Sequence, residues 1–143
     1  MSLFSVLSVS ASGMAAQRTR AALLVENLAN AETTRTPEGG PYRRKDVVFS
    51  SEPVPFTGVF ETALSASETG VSVAEIIEDT REPERRYQPG HPDADADGYV
   101  AYPRINPAED MIDLISAARG YQANVAAISA VKDMIQRSIE LLR

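Results

Sequence analysis

The sequence lacks residues on which several kinds of protein chemistry depend. None of its 143 residues is cysteine, which excludes disulfides, thiolate catalysis and cysteine-bound metals. The only histidine is His91, and no Gly-x-Ser-x-Gly motif accompanies it, so the sequence offers no nucleophile–base pair. Two acidic residues could still converge as a catalytic pair, but no pattern singles out which two. We therefore predict a protein that is not an enzyme and binds no cofactor.

Long apolar runs are also missing. No stretch approaches the ~18 apolar residues that a membrane span needs, so no span is predicted. The first nine residues resemble the core of a signal peptide, but no basic residue precedes them and the first positive charge is Arg18. Export is therefore expected to use a route that cleaves no such signal. The net charge is −6 and its acidic excess lies in residues 33–106, which argues against nucleic acid as a partner.

Proline is absent from both ends of the chain. All nine prolines lie between Pro37 and Pro107, together with six of the eight glycines. Because proline interrupts helices, the sequence divides into residues 1–32, a punctuated middle of residues 33–106, and residues 107–143. The middle is predicted to be a small, irregular β domain, in which Ile76-Ile77 breaks the alternation and leaves the register open. Its expected strands are Tyr42–Phe49, Val54–Phe60, Val71–Asp79, Arg85–Gln88 and Tyr99–Tyr102.

The C-terminal segment predicts one long helix. Asn106 is a suitable N-cap, Pro107 fits the first helical position and Glu109 occupies the capping-box position. Apolar residues then recur in alternating steps of three and four, interrupted only by Lys132, as in a coiled coil. This C-terminal seam comprises Met111, Leu114, Ala118, Tyr121, Val125, Ile128, Ile135, Ile139 and Leu142.

A second line of small or apolar residues follows another face of the same helix. An ordinary surface helix buries only one stripe. A helix of this length, about 55 Å, also exceeds the roughly 37 Å diameter of a compact domain of this size. We therefore expect neighbours on both faces within an assembly, with a core helix of a monomeric bundle as the alternative. The second line comprises Gly120, Ala123, Ala127, Ala130, Met134 and Leu141.

Residues 2–32 predict a second helix with the same spacing. Gly13 lies off its seam, as Gly120 does in the other helix. Each glycine costs about 0.5–1 kcal/mol relative to alanine, which close approach of another helix would explain. The predicted fold class is α+β, with two long terminal helices pairing as an antiparallel, coiled-coil-like hairpin around the small β domain. The N-terminal seam comprises Leu7, Ala11, Met14, Ala21, Val25 and Leu28, interrupted by Arg18.

The basic run Arg43, Arg44 and Lys45 follows two glycines and a proline and could bind an anion. Three consecutive charges on a strand point to alternate faces, however, so a solvated strand or one with outer-domain contacts is favoured.

The run Asp93-Ala-Asp95-Ala-Asp97-Gly98 resembles the first half of a calcium loop. Arg104 occupies the position where the bidentate glutamate belongs, and Pro92 forbids a continuous entering helix. We therefore predict an acidic turn closed by Gly98 and no metal site.

Several longer motifs resemble those of one known family. Ser12-Gly-Met-Ala-Ala-Gln-Arg18, leading into Glu26-Asn-Leu-Ala-Asn30, resembles the N-terminal signature of bacterial flagellar rod, hook and hook-associated proteins. Tyr121-Gln-Ala-Asn124 resembles the C-terminal signature of the same superfamily. Residues 33–45 and 90–100 are similar to segments of its proximal rod members, although Glu32 and Arg104 depart from the usual residues there. The resemblance covers nearly the whole chain.

The resemblance implies a function and a set of partners. Paired terminal helices would form the inner layer of a hollow helical drive shaft, with the middle domain outside. The implied partners are copies of the chain, other rod proteins, the flagellar type III export apparatus and the surrounding basal-body rings. The implied location is the basal body, crossing the periplasm after export with an uncleaved N-terminus. A calcium-stabilised adaptor and a cytoplasmic coiled-coil adaptor remain as alternatives.

The subunit interface is then expected to involve both seams and the small residues of the second line. Amides on apolar helices need partners when buried and can fix the register between neighbours, the alternative for each being a solvated asparagine. Besides the seam residues given above, the expected interface contains Gly120, Ala123, Ala127, Asn27, Asn30 and Asn124.

Overall fold

A computed structural model describes residues 3–53 and 69–141. Two helices, α1 (Leu3–Ala29) and α2 (Pro107–Glu140), stand at the ends of this part of the chain, and four strands lie between them. The predicted α+β class with long terminal helices is confirmed. The strand predicted at Val54–Phe60 and the seam residue Leu142 lie outside the described residues. The strands are β1 (Lys45–Pro53), β2 (Thr69–Glu78), β3 (Glu84–Tyr87) and β4 (Tyr99–Tyr102).

Helix α1 ends at Ala29, three residues before the predicted boundary, because Asn30 closes it. The Asn30 side-chain amide donates to the Glu26 carbonyl at 2.9 Å, and the same carbonyl accepts the Asn30 backbone N–H at 3.1 Å. The Asn30 side-chain oxygen Oδ1 accepts a hydrogen bond from the Thr33 hydroxyl at 3.1 Å, and the chain turns away from the helix there.

Helix α2 begins as predicted. Asn106 has extended backbone angles (φ −101°, ψ 103°), and its side chain accepts a hydrogen bond from the Ala108 N–H at 3.1 Å. Pro107 opens the first turn, where no N–H partner is needed. Glu109 and Asp110 in the first turn and Arg137 in the last complement the helix dipole.

The strands form two separate antiparallel ribbons. In the first, Lys45 lies opposite Glu78 and Pro53 opposite Thr69. The register shifts where Val48 and Phe49 face Glu75 and Val73, which leaves Ala74 as a bulged residue. The alternation in β2 therefore breaks at Ala74, two residues before Ile76-Ile77. Strand β1 starts three residues later than predicted because Tyr42 turns toward α1 instead of joining the ladder.

The second ribbon pairs β3 with β4, Glu84 opposite Tyr102 and Tyr87 opposite Tyr99. Gly98 precedes β4 with a φ of 81°, a value that favours glycine, and any Cβ there would lie 2.9 Å from the Tyr87 ring. The turn before β4 is thus closed by glycine, as predicted.

The two helices pack against each other in antiparallel orientation, and β1 and β2 pack against α1. The buried residues of the helix pair are Ser10, Ala16, Leu23, Leu24, Asn27, Asp110, Ala117 and Val131. Within the described residues, neither helix is long and apolar enough to cross a membrane.

Candidate functional site: the helix pair and its polar anchor

The helices lie close together where each contributes a glycine. A Cβ placed on Gly13 would lie 3.0 Å from Asn124 Oδ1, and one placed on Gly120 would lie 3.2 Å from Gln17 Cδ. The close helix approach predicted from the two glycines is therefore confirmed. Gly120 contacts α1 of its own chain, and its part in a subunit interface stays a prediction. The two family signatures, 12–18 and 121–124, thus meet each other.

The line of α2 residues that faces α1 lies beside the predicted seam and includes Gly120 of the second predicted line. It contains Ala117, Gly120 and Asn124 near its middle, and Asp113, which pairs with Arg20 at 3.0 Å. Small side chains along this line allow the backbones to approach, which the larger seam residues would prevent. Pairing of the helices is confirmed, and the α2 seam lies along one edge of their contact.

The predicted α2 residues consequently divide into two groups. Leu114, Ile128 and Ile135 are half-buried at the edge of the contact, and so is Ala127. The others are exposed, with Met111 at 55% and Val125 at 42%. The exposed group comprises Met111, Ala118, Tyr121, Ala123, Val125, Ala130, Met134, Ile139 and Leu141.

The N-terminal seam divides in the same way. Leu7, Met14, Ala21 and Leu28 are half-buried, whereas Ala11 and Val25 are exposed. The opposite flank of α1 meets the first ribbon, where Ser12 Oγ accepts a hydrogen bond from the Val71 N–H at 3.1 Å. Helix α1 therefore has α2 on one side, the ribbon on a second and an apolar face that the chain leaves open.

The open faces of the two helices lie on the same side of the pair. In each helix an exposed seam residue follows a contact residue by one position: Val25 follows Leu24, Ala118 follows Ala117, and Val125 follows Asn124. Because the helices are antiparallel, an equal rotation from the contact line leads to the same side. We call the surface formed by Ala11, Val25, Met111, Ala118 and Val125 the apolar side. The ribbon β1–β2 lies on the opposite side.

A group of polar contacts, the polar anchor, joins α1, the start of β1 and the start of α2. Its centre is Asn27, which is completely buried. The Asn27 amide donates to the Lys45 carbonyl at 2.8 Å, and its oxygen accepts from the Lys45 N–H and the Tyr42 hydroxyl, both at 2.9 Å. Asn27 was expected to fix register between subunits, but its hydrogen bonds lie within the chain.

Charged and ionisable groups surround Asn27. Lys45 Nζ lies 2.7 Å from Glu26 Oε1, and this hydrogen bond raises the pKa of the Lys45 ammonium. Burial, helped by the negative charge of Glu26, raises the pKa of Tyr42 to about 12. Tyr42 is therefore a neutral donor to Asn27 throughout the physiological range.

Arg44 connects the anchor to α2. Its guanidinium lies 2.8 Å from Asp110 Oδ1, and the Asp110 side chain is fully buried. Burial raises the pKa of Asp110, and the positive charge of Arg44 opposes that rise. Arg43 is exposed and donates to the Asp79 carbonyl at 3.3 Å. Of the three basic residues expected to make outer-domain contacts, Arg44 and Lys45 thus bind the two helices of their own chain.

Asn30 and Asn124 also form hydrogen bonds within the chain. Asn30 closes α1, and the Asn124 amide donates to the Gly120 carbonyl at 2.9 Å, one turn earlier in α2. A role in register between subunits stays a prediction for both.

The acidic turn binds its own backbone. Asp95 Oδ1 accepts from the N–H groups of Asp97 and Tyr99, and Asp93 Oδ2 accepts from the Thr34 hydroxyl at 2.8 Å. Across the described ranges, no group of three or more histidine, aspartate or glutamate side chains could hold a metal ion.

A groove lies between α1 and the first ribbon, on the side opposite the apolar side. Its volume is about 380 Å³. Its floor is apolar, formed by Leu23 and Leu24 of α1 and by Val47 and Phe49 of β1. The charged residues at its rim, Arg20, Lys45, Asp46 and Asp113, are paired within the chain.

Comparison with known proteins agrees with the resemblance read from the motifs. Residues 96–141 match the family described as flagellar basal body rod FlgEFG protein C-terminal. Over 99% of both chains, the sequence is 40% identical to the flagellar basal-body rod protein FlgC of Bacillus subtilis. It is 38% identical to that of Borreliella burgdorferi, over 100% of this chain and 99% of the relative. The identity to that of Salmonella typhimurium is 36%, over 99% and 98%.

Proposed function

The chain belongs to the flagellar basal-body rod protein family, and we propose that it is a structural rod subunit that assembles through its two terminal helices. The assembly would contain copies of the chain and other rod proteins. In this proposal the helices form the inner layer of a hollow helical tube, and the strands face outward. Residues 1–32 and 107–143 build the inner layer, and residues 33–106 build the outer domain.

The observation that carries this proposal is the apolar side of the helix pair. Val25 is 52% exposed and Met111 55%, on helices that pack against each other, with the ribbon packed against α1. Exposed apolar side chains gathered on one side of a helix pair are typical of an interface. A partner on this side would bury it without disturbing the ribbon, which lies on the opposite side.

The polar anchor supports a mechanical role. Asn27, Lys45 and Arg44 tie the ribbon to both helices through short hydrogen bonds and ion pairs. A torque-bearing tube requires no reaction chemistry, and it does require that its inner and outer layers move together. We therefore propose that the protein is not an enzyme and that the anchor transmits force between the layers.

The location and the transient partners belong to the same proposal. The subunit would leave the cytoplasm through the flagellar type III export apparatus with its N-terminus uncleaved. It would then cross the periplasm as part of the basal body and contact the surrounding rings. The calcium-stabilised adaptor is less favoured, because Asp93 and Asp95 are already engaged by their own chain.

The test is a charge placed on the apolar side. Val125→Asp should stop rod completion and motility while the chain is still made and exported, because an unpaired carboxylate would be buried in the interface. Val125 is a better site than Ile128, which is half-buried against α1, so that a charge at Ile128 would also destabilise the monomer.

The matched control is Ala126→Asp. Ala126 is the next residue of the same helix, is exposed, and lies outside both predicted lines. Rod completion, counted by electron microscopy of purified basal bodies, should be retained in this variant. Normal rods from Val125→Asp would refute assembly through the apolar side.

A further inference from the structure

Three connections of the chain surround a small basic hollow: residues 41–44 before β1, 79–83 between β2 and β3, and 103–104 between β4 and α2. Its volume is about 20 Å³, which admits about one water-sized group, such as one oxygen of an anion. We call it the arginine hollow. Its described lining includes Arg43, Arg44, Arg81 and Arg104, one carboxylate, that of Asp79, and Pro41, Pro83 and Pro103.

Two of the four guanidinium groups already have carboxylate partners. Arg44 lies 2.8 Å from the buried carboxylate of Asp110, and Arg81 Nε donates to both carboxylate oxygens of Asp79 at 2.9 Å. The hydrogen bonds from Arg81, helped by the positive charge of Arg104, lower the pKa of Asp79 to about 2. Asp79 is therefore ionised at neutral pH and is already engaged by Arg81.

The other two arginines carry charges that the described chain does not compensate. Arg43 is exposed and donates to a backbone oxygen, the Asp79 carbonyl, at 3.3 Å. Arg104 is also exposed, and neither arginine forms an ion pair with a carboxylate of residues 3–53 or 69–141. Two positive charges thus share one hollow, on a chain whose net charge is −6.

We propose that the arginine hollow binds a doubly charged oxyanion of the phosphate class. The guanidinium groups of Arg43 and Arg104 match its two negative charges, and each can direct a fork of N–H groups at its oxygens. A single carboxylate would neutralise only one of the two arginines. The three prolines restrict the backbone around the hollow, so binding requires little further ordering of the chain.

A bound anion would have a structural effect. It would tie the three connections together beside the Arg44–Asp110 ion pair, which joins the polar anchor to α2. The site lies within one chain, so it does not depend on assembly through the apolar side. A free phosphate ion and the phosphate group of a larger molecule share the required chemistry.

The test is a calorimetric titration of the purified monomer with inorganic phosphate, near neutral pH and at constant ionic strength. We expect saturable binding of one phosphate per chain, and binding of acetate that is at least about tenfold weaker. Arg43→Gln and Arg104→Gln should each weaken phosphate binding at least about tenfold, because each removes charge-assisted hydrogen bonds. Arg104→Lys should recover part of the affinity, since lysine keeps the charge but lacks the fork.

The matched control is Arg85→Gln, which removes an exposed arginine of β3 that does not line the hollow. This variant should bind phosphate as the wild type does. The replaced side chains are exposed, so the urea midpoints of all the variants should stay close to that of the wild type.

The outcomes decide the proposal without touching the proposed function. No saturable phosphate binding, acetate binding as tight as phosphate binding, or an equal loss in Arg85→Gln and Arg104→Gln would overturn it. Glycerol phosphate distinguishes the two sources of the anion. Affinity equal to that of inorganic phosphate assigns the hollow to phosphate groups of larger molecules, and affinity at least about tenfold lower assigns it to the free ion.

Discussion

Replacing Asn27 by alanine should destabilise the folded chain more than the same substitution at any other asparagine of the family signatures. The wild-type amide makes three hydrogen bonds, two to the Lys45 backbone and one to the Tyr42 hydroxyl. It does so from a completely buried position. In the Asn27→Ala variant, the Lys45 N–H, the Lys45 carbonyl and the Tyr42 hydroxyl would lose their partner together.

The magnitude follows from those three groups. A buried polar group left without a partner costs about 1–3 kcal/mol. Lys45 is half-buried, so water can relieve part of that penalty, and the lower end of the range applies. We expect a loss of about 3 kcal/mol in the free energy of unfolding, a large fraction of the roughly 5–15 kcal/mol that stabilises a typical domain.

A double-mutant cycle separates the hydrogen bond from general loss of packing. Tyr42→Phe alone removes one hydroxyl and should cost about 1 kcal/mol, since the Asn27 oxygen keeps its bond to the Lys45 N–H. In the Asn27→Ala background the same change should cost nothing, because the hydroxyl has already lost its acceptor. Asn30→Ala is the control and should cost about 0.5–1 kcal/mol, because its side-chain contacts are local and half-exposed.

The assay is urea unfolding of the monomer followed by far-ultraviolet circular dichroism. With a slope of about 1–3 kcal/mol per molar, a loss of 3 kcal/mol lowers the midpoint by about 1–3 M. The reasoning fails if Asn27→Ala unfolds within about 0.5 kcal/mol of the wild type or is no worse than Asn30→Ala.

Two further predictions concern the helix contact and the buried carboxyl group. Gly13→Ala should lower the free energy of unfolding by about 1–2 kcal/mol despite the better helix propensity of alanine, because the new Cβ would lie 3.0 Å from Asn124 Oδ1. The control is Gly90→Ala, where a Cβ would meet nothing within 4 Å and stability should not fall. Equal urea midpoints for the two variants would contradict the close approach of the helices. The raised pKa of Asp110 means that the folded chain binds a proton more readily than the unfolded chain. The wild type should therefore gain stability relative to Asp110→Asn as the pH falls through the folded pKa toward 3.8. A stability difference between the two proteins that is constant or grows with pH would contradict the buried state of Asp110.

The parts of the fold that sequence reasoning predicted correctly depend on local signals. Asn106 and Pro107 indicate the start of α2. The residues next to Gly98 likewise predict the turn that it closes. The short strands and the α+β class follow from proline placement and short β-prone runs. Boundaries moved where a distant contact overrode the local preference, as when Tyr42 left the predicted strand to reach Asn27.

The polar anchor could not be predicted in the same way. Arg44 and Asp110 are 66 residues apart in the sequence, and nothing in their neighbourhoods marks them as a pair. Asn27 did carry a signal: it is a polar residue on an otherwise apolar helix, inside a family signature. The signal indicates a buried amide, but the sequence does not show whether its partner belongs to the same chain or to a neighbouring subunit.

The apolar seam predicted from the sequence does not coincide with the line of residues through which the two helices contact each other. The chain joins its two helices through Gly13, Gln17, Gly120 and Asn124, residues that are small or polar. It leaves Val25, Met111 and Val125 exposed. Part of the apolar seam therefore stays exposed, and this is the surface through which we propose that the chain assembles.

This division limits where subunit register can come from. Asn27 and Asn30 hydrogen-bond within their own chain, and so does the Asn124 amide, so in the proposed assembly we expect the register between copies to depend mainly on the shape of the apolar side. Shape can specify register only if the helix pair and ribbon are held rigidly. We propose that the polar anchor provides that rigidity. A substitution of Asn27 should then impair assembly, even though its side chain is completely buried within its own chain.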